Sequence, residues 1–218
     1  MKKTIVYVIV LLLVIIGVVL GHTTRNYLII RKMQDKILDY SNKDSYSIIT
    51  TSKDLENNGK TIMEYYKDGS NEVIKVNSNH DGKEMSYCVY KSEGQAKIYT
   101  IDESGKKIYT SDEDFVMQVS FYNLLESSSN LHTFIGTIPT TVRSKNINGK
   151  KCYEINNFRS DMSMTEVGKN VIYVEKDTGL LVEQDTQTTI ITKEYSFDKI
   201  DSSIFIEPDI SEYERIEE

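Results

Sequence analysis

The segment MKKTIVYVIVLLLVIIGVVL, residues 1–20, has two lysines followed by an uncharged apolar run from Thr4 to Leu20. A helical run of this length crosses the hydrocarbon core of a bilayer. No small-residue cleavage site and no lipid-attachment cysteine follows it, which favours an uncleaved signal anchor over a cleaved signal peptide. We therefore expect residues 1–22 to be a cytoplasmic tip and transmembrane anchor. The protein would then be a single-pass protein of the cell membrane whose large domain is extracytoplasmic.

The composition of the remaining chain is that of one folded, acidic domain. The 218 residues carry a net charge of −7, with 27% charged and 39% hydrophobic side chains. Such an acidic surface repels phosphates, so we expect no nucleic-acid partner. Basic residues between Arg25 and Lys36 follow the anchor; they face lipid headgroups or form a solvated helix face. No N-x-Ser/Thr acceptor site is present, which favours a bacterial source.

Helical spacing and turn signals divide the domain into elements. The apolar residues Ile30, Met33, Ile37 and Tyr40 predict a helix over residues 24–40 that continues from the anchor. A capping-box-like start at Ser111 predicts a second helix over residues 112–126. Strands are predicted over residues 45–52, 61–67, 72–77, 84–91, 97–102, 106–109, 140–147, 150–156, 170–176, 180–187 and 188–197. The order helix, strands, helix, strands predicts an α+β fold with an antiparallel sheet.

Hairpin signals support that sheet. Asn58-Gly59, Asp81-Gly82 and Asn148-Gly149 are dipeptides typical of two-residue hairpin turns. No linker or repeat interrupts the pattern, so we expect one domain over residues 23–210. The acidic residues 211–218 are predicted to be an exposed tail.

The last third of the domain resembles a known family. The strand GKKCYEI at 149–155 is followed by VIYVEKDTGL at 171–180, then by EYSFDKI at 194–200 and IFIEP at 204–208. This order is similar to the LolA/LolB-like lipoprotein-carrier superfamily, the outer-membrane lipoprotein sorting protein-like proteins, of which the chain would be a membrane-anchored bacterial relative. Tyr173 stands where that family usually has Trp.

The resemblance implies a fold and a ligand class. It implies a curved antiparallel sheet, a half-barrel, with helices packed on its concave side and an apolar cavity that accepts acyl chains. An uncleaved anchor argues against a carrier that shuttles across a periplasm. We expect the ligand to contact one face of the strand at 84–91 and the second helix. The predicted ligand-binding residues are Met85, Tyr87, Val89, Phe115, Val119 and Tyr122.

The sequence offers no motif for catalysis, a metal or a cofactor. His22, His80 and His132 are widely spaced, and none has a metal-ligand partner at a recognised spacing. We therefore expect a protein that is not an enzyme and needs no cofactor. Cys88 and Cys152 are the only cysteines, and they form either a disulfide or two buried thiols.

Two functions remain open at this point. The first is a membrane-tethered binding module that holds an apolar ligand, a lipid or the acyl group of an acylated protein, against the inner sheet face. The alternative is a protein-interaction or regulatory ectodomain of a cell-envelope complex, with a filled core and a protein partner. The presence of a ligand in the cavity separates the two.

Overall fold

A computed structural model describes residues 2–93, 95–112, 134–156 and 170–216. They form one long apolar N-terminal helix and a large open, mostly antiparallel sheet of twelve strands. The helix α1 spans Lys2–Ser41. The strands are β1 Ser45–Asp54, β2 Lys60–Asp68, β3 Asn71–His80, β4 Lys83–Ser92, β5 Gln95–Ile101, β6 Lys107–Asp112, β7 Thr141–Ile147, β8 Lys150–Asn156, β9 Asn170–Glu175, β10 Leu181–Thr186, β11 Thr189–Ser196 and β12 Glu214–Arg215. The predicted antiparallel sheet is confirmed, and so is the helix over residues 24–40 that continues from the apolar run.

Helix α1 changes character along its length. Its N-terminal part contains an 18-residue window of mean hydropathy 3.1, none of which is buried. From Thr23 onward one stripe becomes buried, with Asn26, Ile30, Met33 and Ile37 recurring at helical spacing. The same 40-residue helix therefore presents apolar side chains to its surroundings at one end and packs within the protein at the other.

The described chain divides into two compact units, each discontinuous in sequence. The first unit, which we call the helix unit, comprises residues 1–40 and 121–181. Its strands are hydrogen-bonded in the order β9-β8-β7. Register places Val142, Ile155 and Ile172 opposite one another, and all three are buried. They form one apolar side of this three-stranded region.

The second unit, the meander unit, comprises residues 41–120 and 182–218. Its strand order is β12-β6-β5-β4-β3-β2-β1-β11-β10. The pairings are antiparallel except for β12 with β6, which is parallel. Successive residues of a strand point to opposite faces, so the register assigns each side chain of this unit to one of two faces.

Two of the hairpin turns have the backbone that the sequence predicts. Asn148 and Gly149 both have positive φ, 50° and 81°, and join β7 to β8. Asp81 and Gly82 do the same between β3 and β4, at 52° and 77°. A two-residue turn with positive φ at both positions matches the twist of the strands that it joins. Asp81-Gly82 and Asn148-Gly149 therefore form the predicted two-residue turns. Asn58-Gly59 does not, because five residues, 55–59, join β1 to β2 and only Asn58 of this dipeptide has positive φ.

The structure differs from the sequence-based expectations at Asp112 and in the C-terminal tail, and it does not describe most of the predicted second helix. Asp112 is the last residue of β6 rather than the start of a helix, because the strand runs on past Tyr109. Residues 113–126 of the predicted second helix lie outside the described residues, so helices packed on a concave face remain a prediction. In the predicted acidic tail, Glu214 and Arg215 pair with Ile108 and Tyr109 of β6, so this segment is attached to the sheet.

Candidate ligand-binding face

One face of the meander unit, which we call the apolar face, carries two rows of side chains that run across the strands. Register aligns the inner row, Ile48, Tyr65, Ile74, Val89 and Ile98, on strands β1 to β5. The first four of these are buried. Neighbouring apolar side chains in a row pack against each other, so the inner row forms a closed part of the core.

The outer row lies two residues away along each strand. It consists of Thr50, Met63, Val76, Tyr87, Thr100 and Ile108. Val76 is buried, whereas the others are half-buried. Met85 lies two residues beyond Tyr87 on the same face of β4, and 41% of its surface is exposed. The apolar face therefore becomes more open from Val89 through Tyr87 to Met85.

The predicted ligand-binding residues on β4 differ in exposure along this gradient. Met85, Tyr87 and Val89 lie on one face of β4, as their alternation predicts, but they differ in access. Val89 is buried in the inner row, Tyr87 is half-buried and Met85 is exposed. Phe115, Val119 and Tyr122 lie outside the described residues. Their role, and that of the β4 residues, stays a prediction.

Two polar groups lie on the apolar face. Thr50 Oγ1 is buried and has no hydrogen-bond partner among the described residues. Lys193 of β11 lies opposite Thr50 in register, and burial lowers the pKa of its ammonium group because it disfavours the charge. Neither position was singled out from the sequence, since an isolated Thr or Lys in a strand gives no signal of burial.

The opposite face of the same strands holds an aromatic cluster, which we call the tyrosine face. Val73, Tyr90, Tyr99 and Tyr109 are buried there, and Phe205 and Tyr213 of the C-terminal segment pack against them. The Tyr99 ring centroid lies 5.2 Å from those of both Tyr109 and Tyr213. Burial raises the pKa of Tyr90 to about 12. The sequence did not reveal that the C-terminal segment completes this cluster.

The C-terminal segment is held to the tyrosine face by polar contacts as well. Tyr99 donates its hydroxyl hydrogen to Glu207 Oε2 over 2.9 Å, and Lys97 Nζ lies 2.7 Å from the same oxygen. Burial and these contacts with Glu207 raise the pKa of Tyr99. The exposed Lys97–Glu207 pair itself contributes little to stability.

Two described cavities belong to the meander unit. A cavity of about 320 Å³ lies beside Tyr90, Lys97, Phe205 and Glu207. A second, of about 470 Å³, is lined by Ile62, Asn77, Met85 and Ile101 among others. Ile62, Asn77, Ser86 and Ile101 align in register on the tyrosine face, whereas Met85 belongs to the apolar face. This cavity is therefore mainly a feature of the tyrosine face, and Met85 is the predicted ligand-binding residue that borders it.

The described residues provide no metal site, and their two cysteines are free thiols. Among residues 2–93, 95–112, 134–156 and 170–216, no group of three or more His, Cys, Asp or Glu side chains is placed to hold a metal ion. Cys88 and Cys152 are free thiols rather than a disulfide, and Cys152 is buried whereas Cys88 is half-buried. Burial raises the pKa of both, which keeps them in the unreactive thiol form.

In the helix unit, residues 134–140 comprise three helical residues, 134–136, and a turn at 137–139. This segment, which we call the turn at 134–140, is fixed to α1 just beyond the exposed apolar segment. Asn26 Nδ2 donates to the Thr140 carbonyl oxygen over 2.8 Å. The ring centroids of Tyr27 and Phe134 are 5.6 Å apart in an edge-to-face arrangement. Further along the helix, Lys36 Nζ donates to the carbonyl oxygens of Lys176 and Asp177. Helix α1 is thus bonded to this unit at both ends of its buried part.

Comparisons with known proteins found no matching family model and no matching curated protein. Similar solved structures include MucB in complex with MucA(peri), at TM-score 0.35 and 7% identity over 80% of this chain and 58% of that one. PNGF-II matches at 0.31 and 8% identity over 81% of this chain and 32% of that one. A DUF1329 family protein from Desulfovibrio piger matches at 0.28 and 14% identity over 85% of this chain and 97% of that one. With scores this low, the description of the fold rests on strand order and register.

Proposed function

We propose that this protein is a membrane-tethered module that binds an apolar ligand, a lipid or an acyl chain, on the apolar face near Met85 and Tyr87. The observation that carries the proposal is the outer row. Five of its six side chains are half-buried, and Met85 beyond them is exposed. Covering such a surface with further apolar groups is favourable, by about 0.8 kcal/mol per buried methylene.

The tether is supported by the first part of α1. An 18-residue helical window that is apolar and entirely exposed is costly in water. A bilayer covers a window of this length, about 27 Å at 1.5 Å per residue. We propose that this segment is a single span of the cell membrane and that both units lie on the extracytoplasmic side.

The polar groups on the apolar face suit a ligand with a polar head. Thr50 Oγ1 is buried without a partner among the described residues, and leaving a hydroxyl in that state costs about 1–3 kcal/mol. Lys193, opposite Thr50 in register, supplies a cationic group within the same apolar surroundings. An amphiphile with an acidic head fits this arrangement, with its acyl chain along Tyr87 and Ile108. We propose binding without catalysis.

Photo-crosslinking tests this proposal. The full-length protein, reconstituted in lipid nanodiscs, is incubated with a fatty acid that carries a photoactivatable diazirine on its acyl chain. Peptide mass spectrometry then locates the adducts. We expect adducts on the apolar part of α1, which is the internal control for the tether, and on β4 around Met85. Adducts on α1 with none on any strand of the meander unit would contradict ligand binding.

A pair of neighbouring variants locates the site. Met85→Asp places a charge on the apolar face at an exposed position, whereas Ser86→Asp places the same charge on the opposite face of β4. We expect Met85→Asp to remove the β4 adduct and Ser86→Asp to keep it. Equal labelling of both variants and wild type, or loss of the adduct from Ser86→Asp, which lines the cavity on the opposite face, would show that the ligand does not lie on the apolar face.

A further inference from the structure

The protein packs against α1 very close to the end of the apolar run. Leu20 is the last residue of that run, and Thr23 and Asn26 are already buried. At 1.5 Å per residue these lie about 4.5 and 9 Å beyond Leu20 along the axis. The headgroup layer on each side of a bilayer is about 5–8 Å thick. Thr23 is therefore packed at the depth of the headgroups, and Asn26 at or just beyond their outer limit.

The turn at residues 134–140 is part of that packing. The Thr140 carbonyl accepts a hydrogen bond from Asn26, and Phe134 packs edge-to-face against Tyr27. The turn also has internal bonds, since Thr137 Oγ1 donates to the Phe134 carbonyl over 2.6 Å and Thr140 Oγ1 to the Gly136 carbonyl over 2.9 Å. Thr137 and Thr140 are buried. The turn is thus held at the level of residues 26 and 27 of the helix.

The outer side of this turn is apolar. Ile138 has 53% and Ile135 37% of its surface exposed, and Pro139 between Ile138 and Thr140 is exposed as well. Turn residues in water are ordinarily Gly, Pro, Asn, Asp or Ser, so the exposed Ile138 departs from that composition. Exposed isoleucines beside a membrane span are instead typical of segments that enter the boundary between headgroups and acyl chains.

We propose that the turn at 134–140 is a second membrane contact, in which Ile135 and Ile138 insert into the leaflet that α1 leaves. The surface that it binds is lipid, and it is continuous with the surface around α1. This inference rests on the proposed membrane tether. A helix alone leaves the helix unit free to tilt and rotate on the membrane, whereas a second contact away from the helix axis restricts both motions.

A tryptophan substituted for Ile138 reports the depth of this position in the bilayer, because the natural chain contains no other tryptophan. Full-length Ile138→Trp is reconstituted in nanodiscs whose lipids carry bromine on the acyl chains, and its emission is compared with that in unbrominated nanodiscs. We expect blue-shifted emission in plain nanodiscs and a clear loss of intensity in brominated ones. Ile135→Trp should behave in the same way and serves as the second variant if one substitution disturbs the fold.

Two further single-tryptophan variants separate the possible failures. Tyr7→Trp lies in the apolar segment and should be strongly quenched, whereas the exposed Leu38→Trp, about 27 Å beyond Leu20 along α1, should keep its full emission. Unquenched Tyr7→Trp would refute the tether itself. Quenched Tyr7→Trp with unquenched, water-like emission from both Ile135→Trp and Ile138→Trp would refute the second contact alone.

Discussion

Gly179 provides a sensitive test of how α1 is held in the helix unit. It lies in the turn after β9, with φ +77°, and donates its backbone hydrogen to the Glu175 carbonyl oxygen. A Cβ atom added here would lie 2.6 Å from the Met33 carbonyl oxygen of α1 and 3.1 Å from Lys36 Cβ. Gly179→Ala therefore combines backbone strain with a collision against the helix.

Backbone strain and the collision with α1 both lower the stability of Gly179→Ala. An alanine with positive φ costs about 1–2 kcal/mol. A contact of 2.6 Å with a backbone atom forces the turn away from the helix, and overpacking of this kind costs about 1–3 kcal/mol. We expect Gly179→Ala to lower the free energy of unfolding of the helix unit by about 2–5 kcal/mol, the sum of these terms.

Gly149→Ala is the matched control. Gly149 also has positive φ, +81°, and lies in a turn of the same unit, but nothing lies within 4 Å of its added Cβ. It should cost only the backbone term, about 1–2 kcal/mol. Native-state hydrogen exchange of the amides at residues 30–37, measured on the full-length chain in nanodiscs, gives both values. Equal destabilisation by the two variants would refute the contact between this turn and α1.

Asn26→Ala should lower the stability of the helix unit by about 1–3 kcal/mol, because the Thr140 carbonyl oxygen loses its donor. The exposed Thr24→Ala is the control, and hydrogen exchange should show no comparable loss for it. The buried tyrosines of the meander unit have raised pKa values, so stability should be full below about pH 10 and fall above it at about 1.4 kcal/mol per pH unit for each such tyrosine. Absorbance at the tyrosinate band should rise together with unfolding, and ionisation complete before unfolding would contradict this burial. A thiol reagent should modify Cys88 and Cys152 slowly in the native protein and rapidly in denaturant, because burial raises the pKa of both thiols; rapid native reaction would count against their burial.

The sequence predicted local features of the fold well. The apolar run, the helix after it and the dipeptides Asp81-Gly82 and Asn148-Gly149 depend on neighbouring residues only, and each lies where it was expected. The buried stripe from Ile30 to Ile37 also follows directly from helical spacing. The end of β6 was placed wrongly, because the acidic residues at 112–114 look like a helix cap when the cross-strand partners Ala96 and Lys97 are not known.

Contacts between residues that are far apart in sequence could not be predicted from local sequence patterns. The packing of Phe205 and Tyr213 on the tyrosine face joins positions about a hundred residues apart in sequence, and two residues of β12 give no recognisable strand pattern. The different exposure of Met85 and Val89 has the same origin. Alternation assigns both to one face, but access depends on what packs over each row.

Native mass spectrometry of the full-length chain tests the central claim most directly. The protein is released from a detergent that removes loosely associated lipid, with and without prior incubation with fatty acid. The account predicts one retained mass that organic extraction removes, that identifies as a lipid or acyl chain, and that is absent from Met85→Asp but present in Ser86→Asp. A bare polypeptide mass, unchanged after incubation with lipid, would contradict it.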